Sequence, residues 1–386
     1  MINRALEKEI LKELFKKKTI LIHGPRRAGK NTLIHNVFIK TNYKWLFLDG
    51  DDFDVRNSLE SANPDFLNAL FKKHNVIFIY EAQQINNIEY LIKTIRKKFP
   101  KKQLIINSSV QLDQLNNFIE KNNKHLKTYH LWPLSFEEIQ KGEDIQAEEL
   151  DELLIYGLYP EIHQDDVDKD IILYNQFKQT LYKDILPSAK IRKPDIMHKL
   201  IRELANKIGQ EINYKQLGSL LNVDAKTISS YIEILEKSFI VFRIPAYSKK
   251  QEYEIKKNQK IYFYDNGLRN AVIENFKPLA ERKDLKYLWE NFLVSERLKL
   301  LSNNNTETAK YFWRTKQQQK TDYIEVSAKS MKAYKFEWDP KKKIKASKTF
   351  EKTYQTKVLG ITRDNFKSFL LRPVSKEKRG LLAILS

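Results

Sequence analysis

The chain of 386 residues contains no cysteine, which excludes disulfide bonds and thiolate metal sites. No apolar run approaches the roughly 18–20 residues that a membrane-spanning helix requires. The first ten residues lack the apolar core of a signal peptide and instead have the spacing of a charged amphipathic helix. Internal repeats and low-complexity linkers are also absent from the sequence. Together these absences predict a cytoplasmic protein with no membrane partner.

Hydrophobic residues make up 41% of the chain and charged residues 31%, as is typical of a globular protein. The length predicts two or three domains rather than one core. Lysine and arginine exceed aspartate and glutamate by 69 − 49 = 20. This excess has two interpretations, an anionic partner such as nucleic acid or a solvated basic surface, and composition does not decide between them.

The most informative segment is a glycine-rich loop at residues 24–32 that follows the short apolar strand 19–23. Its pattern is that of a phosphate-binding P-loop, G-x-x-x-x-G-K-[ST], except at the last position. Backbone N–H groups of such a loop surround phosphates, and its lysine reaches the β- and γ-phosphates. We therefore predict an ATP site at Gly24, Pro25, Arg26, Arg27, Ala28, Gly29, Lys30, Asn31 and Thr32.

The positions that would hold Mg²⁺ are altered. Asn31 replaces the hydroxyl residue that normally binds the metal, although it or Thr32 remains the nearest polar group on that side. The strand 76–79 ends in Tyr80, where a metal-binding carboxylate is expected, and Glu81 follows. Glu81 keeps the chemistry of a water-activating general base. We expect ATP binding with impaired hydrolysis, and we assign no metal ligand.

Apolar strands alternate with helical patterns in the first third of the chain, which predicts an α/β fold with a parallel sheet. The strands are expected at 19–23, 44–49, 75–80 and 103–107. Asn107, at the end of the last of these, is expected near the γ-phosphate as a sensor. The pattern changes near residue 135, which we take as the first domain boundary.

Residues 195–245 have the pattern of a helix-turn-helix followed by a strand. One helix is expected at 212–217, a second at 225–235 with Asp224 as its N-cap, and a wing strand at 239–242. Such motifs bind DNA in some proteins and serve only for protein packing in others, so both interpretations stay open. Further on, a helix is expected at 288–298 and strands at 310–315, 321–326 and 333–338.

Several segments in this order resemble the prokaryotic AAA-type ATPases that carry a C-terminal domain of unknown function. The segments are residues 24–30, 81–83, 132–138, 156–161, 260–270, 289–292 and 313–315. The resemblance implies an AAA+ nucleotide-binding core, a winged helix in the middle and a C-terminal domain similar to restriction endonucleases.

The chain departs from this family at several positions. Asn31 and Tyr80 replace the threonine and aspartate typical of the family, and residues 123–127 lack the arginine that would be a candidate finger for the γ-phosphate. In the C-terminal part Asp322 is kept, but residues 335–337 read Lys-Phe-Glu, the reverse of the Glu-x-Lys of such nucleases. Glu290 offers one further carboxylate. Nuclease activity is therefore not expected.

The sequence thus predicts a P-loop domain at 1–135, a helical connector at 136–194, a winged helix at 195–265 and a small nuclease-like α/β domain at 266–386. The leading function is an AAA-type ATP-binding protein that acts on or with DNA. The alternative is a nucleotide-independent DNA- or protein-binding scaffold derived from a decayed ATPase. The oligomeric state stays open.

Overall fold

The computed structural model describes residues 2–112, 115, 125–140, 146–188, 190–248 and 258–372. These residues form two compact units, each assembled from separate stretches of chain. Unit 1 comprises Met1–Leu134, Tyr159–Pro194 and Ser230–Val241, and unit 2 comprises Ser135–Leu158, Asp195–Ser229 and Phe242–Ser386. The division into four sequence-continuous domains stays a prediction.

Unit 1 contains a five-stranded sheet whose registered strand pairs are all parallel, which confirms the predicted α/β architecture. Its order is β2-β3-β4-β1-β5. The strands are β1 Thr19–His23, β2 Trp45–Asp49, β3 Val76–Tyr80, β4 Gln103–Ser108 and β5 Leu126–His130. The helices among them are α1 Ala5–Glu13, α2 Lys30–Ile39, α3 Phe53–Glu60, α4 Pro64–Phe71 and α5 Ile88–Lys98.

Both faces of this sheet are buried, because side chains alternate between two hydrophobic clusters along each strand. Ile20 and Ile22 of β1 pack in the cluster that includes residues of α1 and α2. Leu21 packs in the cluster that includes residues of α3, α4 and α5. The order of the strands places the carboxyl end of β4 between those of β1 and β3. The P-loop, Glu81 and Asn107 therefore meet at one edge.

The remaining helices begin with α6 Phe136–Ile139 and α7 Ala147–Tyr156 in unit 2. In unit 1, α8 Lys169–Thr180 continues into a π-helical turn, Leu181–Ile185. Next along the chain come α9 Pro194–Asn206, β6 Glu211–Ile212, α10 Tyr214–Leu221, α11 Ala225–Lys237, β7 Val241–Pro245 and β8 Gln259–Phe263. The three strands form a sheet of order β6-β8-β7.

The two helices expected from the helix-turn-helix pattern are present, with shifted boundaries. The first begins at Tyr214 because Asn213 caps it, accepting hydrogen bonds from the N–H groups of residues 215 and 216. Asp224 accepts a hydrogen bond of 2.7 Å from Thr227 N at the start of α11, as expected for an N-cap. The following strand begins at Val241 rather than at residue 239, because Phe239 has a φ of +56° and ends the preceding turn.

The rest of unit 2 consists of α12 Asn266–Val272, α13 Leu285–Asn303, α14 Lys348–Tyr354 and α15 Phe366–Leu370 beside a four-stranded sheet. Its strands are β9 Ala309–Arg314, β10 Lys320–Val326, β11 Met331–Phe336 and β12 Val358–Ile361, in the order β12-β11-β10-β9. None of the described helices has both the length and the hydropathy needed to cross a bilayer.

Candidate nucleotide site

The glycine-rich loop leads from β1 directly into α2. Gly24 is required by close packing, because a Cβ atom at this position would lie 1.9 Å from the carbonyl oxygen of Leu131. Gly29 has a φ of +91°, a conformation that favours glycine, and it precedes the first residue of α2. Ala28 is fully buried, and its carbonyl oxygen accepts a hydrogen bond of 2.7 Å from Arg4 Nη1. Leu131 and Arg4 thus both fix the position of the loop.

Lys30 is folded back onto the loop that contains it. Its Nζ donates to the carbonyl oxygens of Gly24 at 2.8 Å and Pro25 at 2.9 Å. The side chain is buried, and this burial, together with the charge of Arg26, lowers the pKa of Lys30 to about 8 although Glu81 and Asp184 act in the opposite direction. A buried ammonium with only carbonyl partners is suited to receive a polyphosphate.

Arg26 forms an ion pair with two carboxylates on different elements. Its Nε and Nη2 donate to the two oxygens of Asp184 at 3.0 and 2.8 Å, and Nη2 also donates to Glu81 Oε2 at 3.1 Å. The Asp184 side chain is 1% exposed. Burial lowers the pKa of Arg26, but the hydrogen bond and charge of Asp184 outweigh burial and raise it. The guanidinium therefore stays charged in this cluster.

The carboxylate of Glu81 accepts hydrogen bonds from several side chains, unlike that of a general base that is free to accept a proton. Oε2 accepts hydrogen bonds from Gln83 Nε2 at 2.6 Å and Ser109 Oγ at 2.9 Å, in addition to Arg26. Its backbone has a φ of +51°, which is uncommon for a residue other than glycine. Glu81 is thus fixed beside the loop, with one carboxylate oxygen shared by three donors.

Asn31 and Asn107 are joined to each other. Asn107 Nδ2 donates to Asn31 Oδ1 at 2.7 Å, and Asn107 Oδ1 accepts from the backbone N–H of Glu81 at 3.0 Å. This connection links the ends of β3 and β4 to the first turn of α2. The structure thus brings together the three positions that the sequence predicted, but the amide oxygen of Asn31 already has a partner.

The arrangement does not fit a magnesium site. Tyr80 is paired in register with Asp49, and burial and a hydrogen bond with Asp49 raise the pKa of its phenol. Asn31 Oδ1 would have to leave Asn107 before it could face a cation.

A cavity of about 450 Å³ borders the loop. Arg27, which lines it, donates to Glu161 Oε2 at 2.7 Å and to Gln179 Oε1 at 3.2 Å. Of the predicted site residues, Gly24, Pro25, Ala28 and Asn107 lie outside the lining. The lining residues are Arg26, Arg27, Gly29, Lys30, Asn31, Thr32, Glu81, Pro160, Glu161, Gln164 and Gln179.

Sequence reasoning missed Asp184, which lies more than 150 residues after the loop. The only available signal was a carboxylate between Leu181 and Ile185, two residues that are both buried. Residues 123 and 124, in the segment where the sequence lacks the arginine of the family, lie outside the described residues.

In unit 2, Glu290 and Asp322 are both buried. Glu290 Oε1 accepts from Lys260 Nζ at 2.6 Å and from Tyr262 OH at 2.7 Å, and Asp322 Oδ2 accepts from Phe336 N at 3.0 Å. Burial lowers the pKa of Lys260, but the charges of Glu290 and Asp322 outweigh it and raise that pKa. Glu290 is therefore paired with the buried ammonium of Lys260, and Asp322 Oδ1 lies 3.6 Å from Lys320 Nζ.

Two segments of the chain match family models of known proteins. Residues 16–140 match the family model described as an AAA domain. These residues are thus similar to the AAA domains of that family, in agreement with the parallel sheet and the glycine-rich loop of unit 1. Residues 147–279 match a domain of unknown function. The match to residues 16–140 supports the AAA-type P-loop fold predicted from residues 24–30, and the domain boundary at residue 135 stays a prediction.

The relatives extend beyond this domain. An uncharacterized protein of Haemophilus influenzae is 25% identical over 285 residues, which cover 66% of this chain and 68% of that protein. An uncharacterized protein of Mycobacterium tuberculosis is 24% identical over 318 residues, covering 80% of this chain and 68% of that protein. The solved structure of a Walker-type ATPase of Pyrococcus abyssi is similar with a TM-score of 0.46 and 13% identity, over 71% of this chain and 96% of that one.

Proposed function

We propose that the protein binds ATP at the P-loop and hydrolyses it slowly or not at all. One observation carries this proposal. The buried Lys30 is the first residue of α2, directly after Gly29, and it lines a cavity that Arg26 and Arg27 also line. The first N–H groups of a helix have no partner within the helix, and they favour an anion. No side chain caps α2.

Phosphate binding requires an exchange of partners. Lys30 would leave the carbonyl oxygens of Gly24 and Pro25, to which it now donates, and donate to phosphate oxygens instead. Arg27 lines the same cavity and would likewise exchange its hydrogen bond with Glu161 for one with a phosphate. Charge-assisted hydrogen bonds to phosphate are stronger than bonds to neutral carbonyls, so the exchange favours the bound state.

Three contacts argue for slow hydrolysis. Arg26 donates a hydrogen bond to the carboxylate of Glu81, the residue that would activate water. Asn107 donates a hydrogen bond to the side-chain oxygen of Asn31. Tyr80, which stands where a metal-binding carboxylate is expected, is hydrogen-bonded to Asp49. Mg²⁺ normally neutralises charge on the β- and γ-phosphates, and the residues present do not form a site for it.

Thermal unfolding and calorimetry with ATP, with and without Mg²⁺, test the proposal. A ligand at 100 times its Kd adds about 2.7 kcal/mol of stability. We expect this gain for the parent and little dependence on Mg²⁺. Lys30→Ala should abolish the gain, whereas Lys8→Ala, an exposed lysine on α1, should keep it. Absence of any shift at millimolar ATP would contradict the proposal, and rapid phosphate release would contradict its second half.

A second candidate function is a scaffold that binds DNA or protein without nucleotide. The self-contained pairing of Arg26 with Asp184 and Glu81, together with the net charge of +20, favours it. The order α9, β6, α10, α11, β7 and β8, with its three-stranded sheet, supports a winged helix in this scaffold. DNA binding that is unaffected by Lys30→Ala, combined with no ATP effect, would favour the scaffold over the leading proposal.

A further inference from the structure

A second cavity of about 570 Å³ lies in unit 1 at the amino end of the sheet. Thr19 and Gln103, the first residues of β1 and β4, both line it. The P-loop follows the carboxyl end of β1, so the strand separates the two cavities by about 15 Å, at about 3.3 Å per residue. The volume lies within the roughly 300–1,000 Å³ of ligand sites.

The lining of this cavity is strongly basic. Among the residues that the structure describes, no aspartate or glutamate lines it, whereas Lys17, Lys18, Arg96, Lys101 and Lys102 do. Lys18 lies 4.0 Å from Glu13, and Lys102 donates to the carbonyl oxygen of His74. In the described part of the chain, Lys17, Arg96 and Lys101 form no ion pair. Three of the five cations are thus available to a ligand.

The guanidinium of Arg96 lies where partial burial disfavours its charged form. Arg96 is half-buried, and burial lowers the pKa of its guanidinium without an offsetting carboxylate. Partly desolvated cations gain more from an incoming anion than fully solvated ones do, because the local dielectric constant is lower. Arg96 is therefore the unpaired cation of this lining that gains most from a bound phosphate, since Lys17 and Lys101 are exposed.

Two phenylalanines add flat apolar surface to this basic lining. The Phe15 side chain is 36% exposed, and Phe99 is half-buried. Phe15 is held in place by a hydrogen bond of 2.7 Å from its N–H to Gln103 Oε1 and by its ring contact with Tyr43, at 4.5 Å between centroids. Aromatic rings beside cations are the usual platform for the bases of a single strand.

We propose that this cavity binds single-stranded nucleic acid, with a base against Phe15 or Phe99 and phosphates on Lys17, Arg96 and Lys101. A single phosphate group carries at most two negative charges, fewer than the cations that line the cavity. Successive phosphates of a strand match this charge better than the one phosphate of a nucleoside monophosphate does. The proposal does not depend on whether the P-loop takes ATP.

Fluorescence anisotropy with a labelled oligo-dT strand of about 15 nucleotides tests it, on the full chain over a range of salt concentrations. The variant Arg96→Glu/Lys101→Glu should bind at least about tenfold more weakly. A plot of log K against log salt should become shallower by about 0.7 for each lost phosphate contact, so by about 1.4 for the two substitutions together. Phe15→Ala should weaken binding about fivefold or more at an unchanged slope, through lost stacking. Circular dichroism and melting temperature check folding.

Two controls separate this proposal from the ATP site and from general charge. Lys352→Glu changes an exposed lysine of α14 in unit 2 and should leave the affinity nearly unchanged. Lys30→Ala should lose ATP and keep the oligonucleotide. Equal affinity of the Arg96→Glu/Lys101→Glu variant and the parent would overturn the proposal. So would equal affinity for free dTMP and for the strand, or charge-dependent binding to anionic vesicles without binding to the strand.

Discussion

Arg26 of the P-loop holds both carboxylate oxygens of Asp184, a residue of the π-helical turn after α8, at 3.0 and 2.8 Å. The same guanidinium contacts Glu81. A loop expected to close around phosphates is therefore tied to a distant part of unit 1 before any ligand arrives. This ion pair bears on both the stability and the chemistry of the site.

Asp184→Asn should destabilise the protein by about 2–3 kcal/mol, because it removes the buried charged partner of Arg26, a half-buried arginine that then keeps Glu81. Urea unfolding measures the change. The matched control is Glu89→Gln, which breaks an exposed i,i+4 pair with Lys93 on α5 and should cost no more than about 0.5 kcal/mol. Equal effects of the two substitutions would show that the Arg26–Asp184 pair contributes nothing special.

Asn31→Thr combined with Tyr80→Asp should raise the rate of ATP hydrolysis about tenfold or more, equivalent to about 1.4 kcal/mol of barrier. The double variant restores a hydroxyl and a carboxylate where Mg²⁺ is normally held, so the rate should also become dependent on Mg²⁺. A phosphate-release assay measures it. Tyr80→Phe in place of Tyr80→Asp is the control, since it removes the phenol without adding a charge. A double variant no faster than the parent would show that other contacts limit turnover.

Lys30 should take up a proton when ATP binds. With a pKa of about 8, about half of the molecules carry an uncharged Lys30 at pH 8, and polyphosphate should return the proton. Calorimetry in buffers of different ionisation enthalpy should therefore give an uptake of about half a proton at pH 8. Lys30→Arg should give none, because arginine stays charged. Equal uptake by both proteins would place the titrating group elsewhere.

The same group makes stability depend on pH in the absence of ligand. An unfolded lysine keeps its proton to about pH 10.5, whereas folded Lys30 releases it near 8. The unfolded chain therefore binds more protons between these values, and the contribution of Lys30 to the free energy of unfolding rises with pH across this window. Lys30→Met should flatten that rise.

Gly24→Ala should destabilise the protein by about 1–3 kcal/mol, because its Cβ would overlap the carbonyl oxygen of Leu131 and backbone would have to move. Gly209→Ala is the comparison, since Gly209 has a φ of +68° but the nearest atom to its Cβ is 3.6 Å away. Its cost should stay near 1 kcal/mol, from backbone conformation alone. Thermal unfolding of both variants measures the difference, and a smaller effect at Gly24 would argue against the steric account.

Much of unit 1 could be predicted from the sequence because its signals are local. Apolar runs predicted β1 to β4 within one residue at each end, and the glycines and Lys30 predicted the loop before α2. The meeting of Glu81 with Asn107 follows from strand ends sharing one edge of a parallel sheet. The order of the strands, which places β4 beside both β1 and β3, depends on contacts between distant segments and cannot be predicted from any short one.

The partners of the loop could not be predicted for the same reason. Asp184 and Arg4 contact the loop only through the tertiary fold, and neither belongs to a motif. Lys260 was missed beside Glu290 because a lysine on a strand usually lies at the surface, whereas this one is buried against a carboxylate. Spacing along a chain predicts neighbours on one element but not across elements.

The hydrogen bond between Asn31 and Asn107 also constrains how this sequence can evolve. A single change of Asn31 to threonine would remove the oxygen to which Asn107 donates and leave a fully buried amide without its partner, at a cost of about 1–3 kcal/mol. A matching change at position 107 should therefore recover part of this cost. The two asparagines are therefore energetically coupled, so the cost of replacing either one depends on the residue at the other position.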